Sequence, residues 1–288
     1  MNVTLWGVRG SVPTPGEATA RYGGNTACVA VASADDSIVV LDAGTGICAL
    51  GAHLPEGLGR VDILLSHLHM DHIIGLGFFA GLYRPGLDVH IWGPGSTVGR
   101  LRERLSRYMS PPLFPVRLRE LPCHLTLHDV PLGTFDLPAT SVTAGLVCHP
   151  GTTVGYRLVD AEGTVAYVPD HEPALGCAVF PSEPRWTSGF DLVSGADLLI
   201  HDAQYADHEY ADHVGWGHSS IGHAIALARQ AGVGRLVAFH HDPAHDDAAL
   251  DRLYGTVGWP AVSPAREGDR YAVITAARSA RGPSTFGR

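Results

Sequence analysis

Three histidines and an aspartate crowd a single heptapeptide, SHLHMDH at 66–72. Alternation at a strand end puts His67 and His69 on one side, while Asp71 and His72 turn back as the next helix begins. Imidazole nitrogen suits zinc and its first-row neighbours, and a carboxylate beside it compensates the charge of a second cation. Two metal ions can share that turn. The chain carries 17 histidines, many of them near aspartates, a population better suited to metal ligation than to packing. Its five cysteines (Cys28, Cys48, Cys123, Cys148, Cys177) are scattered and form no CxxC pair, so neither a thiolate zinc site nor a disulfide framework is indicated.

Rigid elements must bring such groups together. Four apolar runs each finish in residues that can bind metal: VDILLSH (61–67), VAYVPD (165–170), DLLIHD (197–202) and RLVAFHH (235–241). In layered α/β folds, sites form where the carboxyl ends of strands meet, so these ends are expected to converge. Strands are expected near 2–7, 27–32, 37–41, 61–65, 152–159, 163–168, 197–201 and 235–239. Helices are expected near 96–109, at 220–231 behind a serine cap, and after Asp246. No linker or repeat divides the chain, which gives one domain over 1–275 and a disordered tail over 276–288, rich in Ser, Gly and Arg.

HLHMDH resembles the HxHxDH signature of the metallo-β-lactamase superfamily, and the likeness extends over almost all of residues 1–275. LDAGTG (41–46) resembles that family's early strand-and-turn motif, His149 its later isolated histidine ligand, Asp170 its metal-bridging aspartate and His240 its last histidine. The resemblance implies a four-layer αβ/βα sandwich with two divalent metal ions, zinc first and manganese or iron as alternatives. It assigns His67, His69 and His149 to one ion, Asp71, His72 and His240 to the other, and Asp170 to both. Read alone, His149 is an ordinary packed or surface histidine. His240 is chosen over His241 because it follows the strand directly; neighbours in extended chain face opposite ways, and a bulge would exchange them.

ADLLIHDAQY (196–205) and GWGHSS (215–220) resemble the acidic strand-end motif and the following HST motif of the ribonuclease Z and phosphodiesterase branch. Aspartate stands here for the more familiar glutamate, and Ser219-Ser220 for Ser-Thr. Carried over, His218 approaches the scissile phosphate and Asp202 orients it, which suits an imidazole acid whose pKa a carboxylate raises. The likeness has a limit. Ribonuclease Z carries a long arm that grips transfer RNA between its third histidine and the bridging aspartate, whereas His149 and Asp170 leave room for a strand pair only.

Composition points the same way. A formal charge of −9 repels a polyanion unless a local basic patch intervenes, so a small, cyclic phosphodiester is the expected substrate and a nucleic acid polymer is disfavoured. At 45 % hydrophobic and 17 % charged residues, the chain has ample material for a core. The N-terminus lacks signal-peptide character and no run approaches the ~20 apolar residues of a membrane helix, which gives a cytoplasmic expectation without membrane contact. The sequence leaves a homo-oligomer open. Rival readings are a thioester or lactone hydrolase, an RNA-processing nuclease, and a metal-bound sensor without turnover. Arg9 and Arg21, in the glycine-rich opening GVRGSVPTPG…RYGGNT, either meet a phosphate or form structural ion pairs, and are left out of the expected site.

Overall fold

The computed structural model describes residues 1–33, 37–177 and 179–274, so the tail expected to be disordered lies outside the described residues. Along the chain run β1 (Asn2–Gly7), β2 (Cys28–Ala32), β3 (Ile38–Leu41), α1 (Gly46–Gly51), β4 (Arg60–Leu64), α2 (Met70–Ile73), β5 (Asp88–Pro94), α3 (Leu101–Tyr108) and β6 (His124–Val130). The second half holds β7 (Gly133–Leu137), β8 (Thr140–Leu146), β9 (Val154–Val159), β10 (Thr164–Val168), α4 (Phe190–Val193), β11 (Leu198–Asp202), α5 (Ile221–Gln230), β12 (Arg235–Phe239), α6 (Asp247–Gly255), β13 (Val262–Pro264) and β14 (Arg270–Ala272).

These strands make two seven-stranded mixed sheets, in the orders β14-β1-β2-β3-β4-β5-β6 and β13-β12-β11-β10-β9-β8-β7. Alternation explains the layering. Val39 and Leu41 of β3 face the core between the sheets, where they meet Tyr167 of β10, Ile200 of β11 and Val237 and Phe239 of β12. Val40 faces outward with Ile63 and Ile91, under Ile47 of α1 and Leu101 and Leu105 of α3. On the far side Val168, Leu199 and Leu236 pack against Ala224, Leu227 and Ala228 of α5. Helix, sheet, sheet and helix give the expected four layers, each inner strand apolar on both faces because both are buried.

Within each sheet the strands that carry chemistry are parallel: β3 to β4 to β5 to β6 in one, and β10 to β11 to β12 to β13 in the other. Their carboxyl ends therefore lie along one rim. Two helices start where their caps dictate: the Ser220 hydroxyl accepts the His223 N–H at 3.1 Å and opens α5, and the Asp246 carboxylate accepts the Ala249 N–H at 2.7 Å and opens α6. The helix expected over 96–109 starts only at Leu101. Gly99, at φ 136°, keeps the chain irregular up to Arg100, whose N–H then meets Glu103 at 3.1 Å. The residues between His149 and Asp170 form the antiparallel pair β9 and β10, with no protruding arm. Among the described residues no helix is long and apolar enough to cross a membrane.

Candidate metal centre and active site

The rim gathers the expected ligands into two groups that share one member. Donor atoms of His67, His69, His149 and Asp170 lie within 4.8 Å of one another, and so do those of Asp71, His72, Asp170 and His240. Asp170, at the end of β10, turns one oxygen to each group. Its Oδ2 is 3.7 Å from Nε2 of both His67 and His149, while its Oδ1 is 3.0 Å from His72 Nε2 and 3.3 Å from His240 Nε2. One carboxylate thus stands between two sets of imidazoles.

Hydrogen bonds behind the ligands fix which ring nitrogen faces inward. Asp42, just beyond β3, accepts from His72 Nδ1 at 2.7 Å, so one His72 hydrogen sits on Nδ1 and Nε2 is the ring nitrogen left to face the centre. The Ser66 hydroxyl donates to Asp42 at 2.8 Å and therefore accepts from His67 Nδ1 at 3.0 Å. The Gly217 carbonyl accepts from His149 Nδ1 at 2.8 Å, and the Gln204 Oε1 accepts from His240 Nδ1 at 2.9 Å. Four imidazoles thereby hold one tautomer, each offering Nε2 to the centre. The His67 and His72 Nε2 atoms and the Asp170 Oδ1 are buried without a hydrogen-bond partner. Such orphaned atoms cost about 1–3 kcal/mol each unless something fills the space between them.

The electrostatics agree with cation binding. Burial lowers His67 well below the usual histidine value, with neighbouring imidazoles adding to it, and lowers His69 and His149 too, so these rings are neutral at pH 7 and able to donate a lone pair. Burial would raise the carboxyls of Asp71 and Asp170, but the imidazoles of His72 and His240 hold both low. His72 is the exception: burial lowers it, yet Asp170, Asp71 and Asp42 outweigh burial and raise it well above the ordinary value. That corner is short of positive charge. An all-nitrogen-and-oxygen donor set with orphaned inner atoms fits divalent ions of the zinc type.

Backbone strain concentrates here. Among the described residues the only non-glycine positions with positive φ are Ser11 (57°), Asp42 (59°) and His240 (62°). Ser11 gives its N–H to Asp71 at 2.9 Å, Asp42 holds His72, and His240 is itself a donor. The left-handed turn at His240 places its ring among the donors and leaves His241 outside them in this structure. His241 points into the core, bonds the Ala265 carbonyl at 2.9 Å, and is pulled by burial down to about 3.

Beside the second donor group stands His218, whose ring stacks on His240 with centroids 5.0 Å apart and lies edge-on to His149 at 5.1 Å. Asp202, at the end of β11, bonds His218 Nδ1 at 2.7 Å and is held by the backbone N–H groups of His171, Gln204 and Ser219. Burial lowers His218, but Asp202 outweighs it and raises the ring to about 9, so it is protonated at neutral pH. The expected Asp202–His218 pair is thus adjacent to both donor groups. Arg9 and Arg21 are structural: Arg9 is buried and bonds the carbonyls of Gly23, Asp242 and His245, and Arg21 pairs with Asp251.

A model of the beta-lactamase superfamily domain matches residues 38–241. The chain belongs to the metallo-β-lactamase-fold superfamily. Within the superfamily it is 31 % identical over 210 residues to an uncharacterized protein, ML1173, of Mycobacterium leprae, covering 66 % of this chain and 67 % of that one. It is 24 % identical over 283 residues to the ribonuclease Z of Haloferax volcanii, covering 83 % and 84 %. The fold superposes on human tRNase Z, short form, with TM-score 0.67 at 22 % identity, covering 96 % and 100 %.

Sequence reasoning missed the supporting residues. Asp42 ends the apolar run IVVLD, the same signal that marked the other strand ends, and could have been found by it. Gln204 and Glu172 carry no such mark. Glu172 is buried and accepts from the Tyr210 hydroxyl at 2.7 Å and from the N–H groups of Gly215 and Gly217 at 3.0 Å. It clamps the loop whose Gly217 carbonyl orients His149 and whose next residue is His218.

Proposed function

We propose that the protein is a dinuclear metal-dependent phosphodiesterase acting on a small phosphodiester. The observation that carries the reading is an imidazole–carboxylate pair, His218 Nδ1 bonded to Asp202 at 2.7 Å, set against two donor groups joined by Asp170. His67, His69 and His149 would hold one ion, Asp71, His72 and His240 the other, with Asp170 shared. When bound, two such ions neutralise phosphate charge and activate a water. The chain's own residues do the rest. His218 delivers a proton from Nε2 to the departing oxygen, and Asp202 holds the ring in place and keeps it charged until that moment. A thioester releases a weakly basic thiolate and has little use for an acid so placed, whereas a lactone releases an alkoxide, so turnover of lactones is the arm of the test that decides that rival.

Small substrates are favoured over RNA. The segment between His149 and Asp170 is spent on β9 and β10, and the net charge of −9 supplies no counterion-release affinity for a polyanion. The test is turnover by metal-loaded protein of cyclic mononucleotides, linear dinucleotides, precursor transfer RNA, thioesters and lactones. The small diesters should be hydrolysed fastest. His218→Ala should then cost about 10²–10⁴ on a diester losing an alkoxide and far less on one losing nitrophenolate, which needs no proton. Salt-sensitive RNA cleavage as the leading activity, or equal losses on both diesters with chemistry rate-limiting, refutes the assignment.

A further inference from the structure

An apolar cavity of about 820 Å³ opens beside His67 and His69, walled by Ile73, Phe78, Val98, Tyr108, Leu113 and Phe114. Its volume falls in the range of small-molecule sites. The walls include an aromatic cluster, with Phe114 edge-on to Phe78 at 5.5 Å and tilted to Tyr108 at 5.9 Å. Phe78, Val98 and Leu113 remain 64–70 % exposed, an apolar surface that water covers at a cost. Several of its polar groups are engaged: the Tyr108 hydroxyl donates to the Ile74 carbonyl at 2.6 Å, the Ser96 hydroxyl accepts the Val98 N–H, and Arg104 reaches the Pro94 carbonyl and Asp129 while its Nε stays without a partner. Arg107, one turn further along α3, lines the same cavity and has no ion-pair partner among the described residues.

We infer that this cavity is a specificity subsite for an aryl substituent of the phosphodiester, and for the substituent that stays on phosphorus rather than the one that leaves. The occupant is apolar because the walls offer few free hydrogen-bonding groups to read a sugar or the edge of a base. It is a substrate group because the cavity is continuous with the donor groups through His67 and His69. It is the retained group because the proton donor, His218, is absent from the cavity lining and stacks instead on His149 and His240. Arg107 supplies the one unpaired cation for the anion to which that group is attached. This inference rests on the phosphodiesterase reading, and its test separates the two.

Three 4-nitrophenyl phosphodiesters share a leaving group and differ in the group retained: methyl, 1-naphthyl and thymidin-5′-yl. Burying about 100 Å² of aryl surface should raise kcat/KM for the naphthyl diester about 50- to 100-fold over the methyl one, with the thymidine diester well behind the naphthyl. Leu113→Glu and Val98→Glu, both at exposed positions in the cavity wall, should lower kcat/KM for the naphthyl diester at least tenfold more than for the methyl one, so that most of the naphthyl advantage is lost. A second readout needs no metal or turnover: the fluorescent arylsulfonate 1-anilinonaphthalene-8-sulfonate should bind metal-free protein, be displaced by 1-naphthyl methyl phosphate, and bind about tenfold more weakly to Leu113→Glu. Equal kcat/KM for all three diesters, or a preference for thymidine, overturns the subsite. No turnover of any diester overturns the phosphodiesterase reading, and in that case displacement of the dye by the naphthyl phosphate still supports an aryl site while failure to displace it overturns that too.

Discussion

Asp42→Asn changes one atom and should cost one ion. Asp42 is fully buried; its Oδ1 accepts the Ser66 N–H at 2.7 Å, and its Oδ2 accepts from the Ser66 hydroxyl at 2.8 Å, the Tyr167 hydroxyl at 2.8 Å and His72 Nδ1 at 2.7 Å. An amide replaces one oxygen with a double donor. If the NH₂ takes the Oδ2 place, the hydroxyls can rotate and accept, but His72 must surrender its Nδ1 hydrogen. That hydrogen then moves to Nε2, the atom that faces the centre. If the NH₂ takes the Oδ1 place, it meets the Ser66 backbone N–H, which cannot turn away, and a buried donor is stranded at about 1–3 kcal/mol. Changes of this kind behind a ligand typically weaken a metal about 10- to 100-fold, or about 1.4–2.7 kcal/mol. The loss should fall on the site of Asp71, His72 and His240. His67 is touched only through Ser66, whose hydroxyl re-aims freely. Protein equilibrated against graded, buffered zinc and counted by elemental mass spectrometry should show the first ion held as before and the second released at least tenfold more easily. Two ions bound with unchanged affinity would refute the tautomer argument.

In the same metal count, His240→Ala should deplete the second ion and His241→Ala should not; the reverse result would mean the left-handed turn exchanges the two in solution. Glu172→Leu removes both acceptor oxygens and strands the N–H groups of Gly215 and Gly217, which should cost at least about 2–3 kcal/mol, lower Tm by at least about 3–5 °C and cut kcat at least tenfold, checked by calorimetry and steady-state kinetics. An unchanged Tm and kcat would remove Glu172 from the positioning machinery. Acid should destabilise the metal-free protein early. Burial lowers His171, His201, His223 and His241 below the unfolded value near 6.5, so below that pH the unfolded chain binds more protons and stability falls as pH falls. Urea unfolding should show the loss between pH 7 and 5 at up to about 1.4 kcal/mol per pH unit for each such histidine, and a flat profile would contradict their neutral burial.

Inner strands and principal donors were legible because one rule marks both: a strand buried on two faces is an unbroken apolar run, and a polar residue at its end stands out. β4, β10, β11 and β12 end in this way, and so does β3, whose apolar run Ile38–Leu41 is closed by Asp42. The stretches 88–94, 124–130, 133–137 and 140–146 were not read as strands. β6 and β7 are the edges of their sheets, and HLTLHDV and GTFDL accordingly mix apolar with polar residues where one side meets water. The supporting contacts were hidden for another reason. Tyr167 reaches Asp42 from across the sandwich, and Glu172 reaches Gly215 and Gly217 from another loop, so no local spacing encodes them. His149 lay between these cases: its role came from family register, because nothing in its neighbourhood distinguishes it from a packed histidine.

The donors are divided between the two halves of the molecule. His67, His69, Asp71 and His72 follow β4 of one sheet, while His149 precedes β9, and Asp170 and His240 follow β10 and β12 of the other. Neither half holds a complete set, so ions entering here would act as rivets between the sheets, and tight occupancy reports that both sheets have docked. During synthesis the first four donors leave the ribosome long before His240 does, and the last of them becomes available only after β12. Metal capture at a complete set of donors would therefore be a closing event of folding rather than a seed for it. Added metal should stabilise the assembled sandwich by mass action, in proportion to the logarithm of its concentration over Kd, and should leave an isolated N-terminal half almost untouched.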